Sequence, residues 1–164
     1  MKSTIYNTRN DLAKKTRATV IELLNQQLAD IIDLGLQVKF AHWNVKGPGF
    51  YALHELFDKI AEELEDFTDD IAERAVELGG TAMGTLATVS KNSRLAPYPT
   101  DTSAGLGHVN VLAAALAAYG ATVRLAIETA AASGDAGTAD LLTGVSRGVD
   151  KQLWLVEAHL HADS

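Results

Sequence analysis

Apolar residues recur along this chain at intervals of three and four, and no segment alternates apolar with polar convincingly enough to suggest a strand. The first helical stripe runs through Ile21, Leu24, Leu28, Ile31, Gly35, Val38 and His42, predicting a helix over residues 11–44. Gly47-Pro48-Gly49 cannot continue it. A second stripe, Leu53, Phe57, Ile60, Leu64, Phe67, Ile71 and Leu78, predicts a helix over 51–78 that stops at Gly79-Gly80. The third helix is expected over 104–132 and is alanine-rich through Val111–Ala121. Ser133-Gly134-Asp135 breaks it, and a fourth follows over 138–161, with Leu141, Leu142, Val145, Val149, Trp154 and Val156 on its apolar face.

Between the second and third helices lie more than twenty residues, 81–103, including Pro97-Tyr98-Pro99. So long a connection is unusual in a compact bundle unless it has structure of its own. A short helix is expected near 85–90, and the length suits a crossing from one end of a bundle to the other. Four long helices with one long crossover describe an all-α, ferritin-like four-helix bundle rather than a simple up-down-up-down one. A packed bundle with no site at all fits the periodicity equally.

Composition narrows the class. At 164 residues, 47% hydrophobic and 21% charged, the chain is long and apolar enough for one globular core. Residues 1–10 are read as a short basic arm and 11–162 as the single bundle domain. With no cysteine, disulfides and thiolate metal sites are excluded. The first twenty residues are polar and basic, unlike a secretory signal. The longest apolar run, Val111 to Ala118, is far below the roughly 20 residues of a membrane span. A soluble, cytoplasmic protein without membrane contact is expected. The net charge of −7 is uneven: Lys2, Arg9, Lys14, Lys15 and Arg17 outweigh Asp11 by +4 in residues 1–17, leaving −11 on the other 147. An acidic body suits cations, whereas the basic arm suits either a polyanion or plain solvation.

The candidate chemistry lies on the second helix. His54 and Asp58 form one i,i+4 pair, and Asp69 and Glu73 another. At about 100° per residue all four project within a wedge of roughly 100°, yet the pairs stand roughly 16 Å apart along the axis. One metal ion cannot reach both pairs of a single chain. Residues 54 and 73 share the midpoint 63.5 with residues 58 and 69. A two-fold axis there would set each pair against the other pair of a twin helix, giving two shared sites per dimer. His42 can lie beside His54 once the glycine turn folds the helices together, although a lone histidine on an apolar stripe also suits simple core packing. Imidazole and carboxylate together suit divalent first-row metals, zinc as well as iron. Asp69 and Glu73 sit in an acidic run from Glu62 to Glu73, which a solvated face would also explain. Mutual repulsion within that run is relieved by a cation.

His42-Trp43-Asn44, Gly47, Leu53-His54-Glu55 and Asp58 resemble the signature of the Dps family, the miniferritins. Asp69-x-x-x-Glu73-Arg74-Ala75-x-x-Leu78-Gly79-Gly80 is similar to its second signature, and likeness continues through Tyr98-Pro99, Thr138-Ala139-Asp140 and Leu153-Trp154. The resemblance implies a hollow homododecamer and a ferroxidase that prefers hydrogen peroxide as oxidant. Fe2+ would be oxidised at sites shared across two-fold dimers, and Fe3+ stored as ferric oxyhydroxide, so that DNA is spared oxidative damage. His42, His54 and Asp58 would come from one subunit, Asp69 and Glu73 from its twin.

The same resemblance places acidic pores near Asp135 and Asp140, which could instead serve as carboxylates at a helix N-terminus. Trp43 suits aromatic packing or a redox role. His108, His159 and His161 have no partner at useful spacing and read as surface or packing residues. A nucleoid-binding structural protein is the competing reading. The arm departs from the lysine-rich tails of DNA-condensing members, with only Lys2 and Arg9 basic before Asp11, and His161-Ala162-Asp163-Ser164 ends acidic. Weak or absent DNA binding is therefore expected, with association to the nucleoid secondary to a cytoplasmic location.

Overall fold

The computed structural model describes residues 5–161, so Lys2 of the arm and Ala162–Ser164 of the acidic end lie outside the described residues. Five helices form in order: α1 Lys14–Asn44, α2 Phe50–Glu77, α3 Leu86–Asn92, α4 Gly105–Ala132 and α5 Ala136–Glu157. Among the described residues there is no strand; Lys46 and Ala104 make one isolated bridge. The all-α bundle with a short helix in its crossover is the architecture the periodicity predicts.

The connections set the direction of each helix. α1 and α2 pair through the turn at residues 45–49, and α4 and α5 pair through Ser133–Asp135, each pair packing extensively. Lys46 N–H donates to Ser103 C=O at 3.2 Å, pinning the α1–α2 turn to the start of α4. At the opposite end the Thr16 hydroxyl donates to Ser133 C=O at 3.1 Å. α2 and α4 therefore run the same way, and the crossover travels the length of the bundle. Its rungs along α1 rise in order: Asn25 accepts from Met83 N–H, Asp30 holds Arg94, Gln37 donates to Ala96 C=O, and Phe40 packs on Tyr98.

The helix ends differ from expectation where tertiary contacts set them. α1 begins at Lys14 rather than residue 11, because Asn10 Oδ1 accepts from Leu12 N–H and Arg17 Nε donates to Leu12 C=O, holding the preceding chain extended. α3 covers Leu86–Asn92 rather than 85–90. α5 opens two residues early, at Ala136, behind the Asp135 cap, and ends at Glu157 rather than 161. α2 and α4 both stop in Schellman motifs: Gly80 N–H reaches Ala75 C=O and Asp135 N–H reaches Ala130 C=O. Gly79 (φ 88°) and Gly134 (φ 83°) take the left-handed position that a side chain would strain.

The stripes of α1 and α2 bury largely as predicted, with Leu34 fully buried and Gly35 on α1 and Phe67 on α2 only partly so. Each buried Leu, Ile or Phe contributes about 1.5–3 kcal/mol relative to exposure. On α5 the buried line is Leu142, Val145, Val149, Gln152 and Val156, whereas Trp154 stands 65% exposed, outside the expected core face. A Cβ at Gly148 would overlap the Phe67 ring, so α2 and α5 approach only because that position is bare. α4 is long and apolar enough by composition to cross a membrane, which its longest unbroken run did not indicate. Here it is a bundle helix whose Val109, Leu112, Leu116, Tyr119 and Val123 are wholly buried.

Candidate metal centre

His42 lies in the last turn of α1 and His54 in the first turns of α2, and the glycine turn between them brings their rings into a stack. Ring centroids are 3.7 Å apart at 21° between planes. The two rings are fastened reciprocally: His42 Nδ1 lies 2.9 Å from the His54 carbonyl, and His54 Nδ1 lies 2.9 Å from the His42 carbonyl. A carbonyl only accepts, so each Nδ1 carries the proton. In the neutral ring that leaves the Nε2 lone pair free on both residues, the tautomer a metal-binding histidine needs. Stacking alone would not select it.

Asp58 stands one turn beyond His54, its carboxylate 3.9 Å from His42 Nδ1. Lys39 Nζ holds the same oxygen at 2.7 Å. The hydrogen bond from Lys39, with its charge adding, keeps the Asp58 carboxyl below its usual value against the opposing effect of desolvation. Asp58 is thus an ionised ligand candidate near neutral pH. Lys39 escaped the sequence reading, although its place three residues before His42 put it on the same helix face. It also lies 5.9 Å over the Trp43 ring, and Trp43 is 67% exposed, so the indole stands largely outside the core of the described residues.

Asp69 and Glu73 lie farther down α2, both exposed, and neither enters a salt bridge or side-chain hydrogen bond among the described residues. The chain stacks His42 on His54 with Asp58 nearby, without closing a three-ligand group, and leaves Asp69 and Glu73 apart from them. Among the described residues no three His, Asp or Glu side chains assemble into a ligand group.

Asp135 is a structural carboxylate. Its Oδ1 accepts from Thr138 N–H at 2.9 Å, its Oδ2 from the Thr138 hydroxyl at 2.6 Å, and Arg74 donates to it at 3.0 Å, in a pocket leaving it 2% exposed. Burial raises its pKa, but the Thr138 bonds and the Arg74 charge outweigh that and hold it below 3.8. Asp140 is exposed. His108 is fully buried and meets the Tyr98 hydroxyl at 2.6 Å, a packing residue as expected; burial lowers its pKa and raises that of Tyr98 to about 12.

This helical frame is that of a widely shared class. Residues 21–164 match the family described as "Ferritin-like domain". The structure superposes on DpsC from Streptomyces coelicolor with a TM-score of 0.94 at 31% identity, covering 98% of this chain and 94% of that one. It is similar, with a TM-score of 0.88 at 25% identity over 96% and 98%, to a Vibrio cholerae DPS protein described as a member of the ferritin-like diiron-carboxylate superfamily. Among curated proteins, the DNA protection during starvation protein of Agrobacterium fabrum is 45% identical over 159 residues, 97% of this chain and 98% of that one. The chain belongs to the Dps family.

Proposed function

We propose that this chain is an iron-sequestering ferroxidase that oxidises Fe2+ with hydrogen peroxide and stores ferric oxyhydroxide inside a homododecamer in the cytoplasm. The observation that carries the reading is the mutual fastening of His42 and His54, which leaves the Nε2 lone pair free on both rings, with an ionised Asp58 3.9 Å from His42 Nδ1. Three donors from one chain are then met by Asp69 and Glu73 of a second, related by a two-fold axis near position 63.5 of α2. Supporting the pairing, both carboxylates are exposed and unengaged on the face that carries His54 and Asp58. The superfamily description of the Vibrio cholerae protein makes iron the favoured metal.

In this mechanism Fe2+ is the substrate. Two ferrous ions each give one electron to peroxide; the O–O bond breaks, two protons are taken up, and two waters form. Carboxylate oxygens hold the harder Fe3+ product, which hydrolyses to mineral within the shell. Consuming Fe2+ and peroxide together prevents hydroxyl radical formation, so DNA is protected chemically. The name of the Agrobacterium fabrum relative accords with that outcome. Direct shielding is disfavoured by Arg17, which the sequence counted with the basic arm but which is buried against the carbonyls of Leu12 and Leu78.

Co-expression of two damaged subunits tests the shared site. His54→Ala and Glu73→Ala homo-oligomers should each lose rapid peroxide-driven oxidation. In a mixed dimer one site carries both lesions and the other none, so half the sites of mixed dimers recover, about a quarter of all sites when the subunits pair at random. A site owned by one chain predicts no recovery, and that result would sink the reading.

A further inference from the structure

Beside Glu73 on α2 lies a cavity of about 470 Å3 lined by Ala72, Glu73, Val76, Glu77 and Ala82. It is an open groove on the surface of α2, with room for the edge of an aromatic side chain from a partner. At the other end of α2, Tyr51 is 70% and Phe50 44% exposed, while Val76 in the cavity wall is 54% exposed. Exposed apolar side chains therefore stand at both ends of α2, each open to cover by a partner.

The two-fold relation proposed above connects these features. An axis at 63.5 sets residue 51 of one copy opposite 76 of the other, 50 opposite 77, and 54 opposite 73. At about 100° per residue, Tyr51 and Val76 both fall inside the wedge that carries the four ligand candidates. The axis was located from the ligands alone, yet it brings the exposed tyrosine onto the cavity with no change of register.

Resting on the shared-site reading, we propose that a second copy of this chain docks by inserting its Tyr51 into this cavity, a contact made twice per dimer. The ring packs on Ala72, Val76 and Ala82, and the phenol hydroxyl donates to the Glu73 or Glu77 carboxylate at the rim. Phe50, 5.3 Å from His54 of its own chain, covers one half of the shared site, while Tyr51 reaches the other half. Tyr51 is therefore a positioning residue for Glu73, closing the iron site to bulk water from the side opposite the histidines.

The chain has no cysteine, which makes the contact testable by cross-linking. A Tyr51→Cys, Val76→Cys double variant treated with a short bis-maleimide should give a covalent dimer on a denaturing gel. Neither single variant should do so. Within one helix the two positions are about 37 Å apart, out of reach, so a cross-link reports a second copy. Anaerobic Fe2+ titration supplies the second readout: Tyr51→Ala should weaken binding about 10-fold, the lower end for loss of a group supporting a ligand, and Tyr51→Phe should fall between it and the unaltered protein. No covalent dimer, in oligomers where co-expressed His54→Ala and Glu73→Ala subunits recover activity, overturns the Tyr51 contact alone. Neither cross-link nor recovery overturns the shared site with it. Equal Fe2+ affinity in Tyr51→Ala and the unaltered protein removes the positioning role.

Discussion

Two carboxylates of this chain show how neighbours decide the role of a residue. Asp58 is half-open and held by one lysine, so it can exchange Lys39 for a metal ion. Asp135 is enclosed by Thr138 and Arg74, and its oxygens already have their partners. Its folded-state pKa is depressed, so the stability it contributes is fully present above its ordinary value of 3.8 and is lost as pH falls through the lower folded value. Asp135→Ala removes the α5 cap and one of the partners of Arg74, which keeps Glu77 and Thr138, and should cost about 1–3 kcal/mol. The urea midpoint at fixed protein concentration measures this, and the difference from the unaltered protein should shrink below pH 3.8. A difference that stays constant into strong acid would mean that Asp135 acts through packing rather than charge.

Among the elements, the long helices were legible because each buries an unbroken stripe, and a stripe is a local property. The rungs between α1 and the crossover were not. Asp30 is 1% exposed and accepts from Arg94 through its backbone N–H and guanidinium, but its partner lies 64 residues away and no spacing rule joins them. The site divides along the same line. The His42–His54 neighbourhood followed from a short turn, and Lys39 could have been found from its helix face. The burial of Arg17 could not, because one of the carbonyls it caps, that of Leu78, lies at the end of another helix 61 residues away. Trp154 misled because its apolar character says nothing of direction; its α5 neighbours Leu142, Val149 and Val156 already fill the inner face. Arg94→Ala leaves a buried carboxylate with only Gln26 and a backbone amide. It should destabilise the chain by about 2–3 kcal/mol, less than for a wholly enclosed pair because Arg94 is itself half-exposed. A urea midpoint unchanged in Arg94→Ala would show that the crossover is held by its other rungs.

For the whole molecule the question is whether protection works through iron or through contact with DNA, and charge separates the two. Three basic side chains near the start of the described residues remain exposed: Arg9, Lys14 and Lys15. With Arg17 turned inward and the chain at −7 overall, those three are the exposed basic side chains among residues 5–17. Three phosphate contacts lose about 40-fold in affinity between 50 and 200 mM salt, and repeated arms raise avidity without changing the sign of that dependence. A gel shift should therefore appear only at low salt, and Lys14→Gln with Lys15→Gln should abolish it while peroxide-driven iron oxidation continues. The decisive comparison is plasmid survival under Fe2+ and peroxide at 200 mM salt. Protection there by the Lys14, Lys15 variant, and its loss in His54→Ala, would place protection in the metal chemistry. Protection that followed DNA binding instead would make the basic surface, not the paired histidines, the working part of the protein.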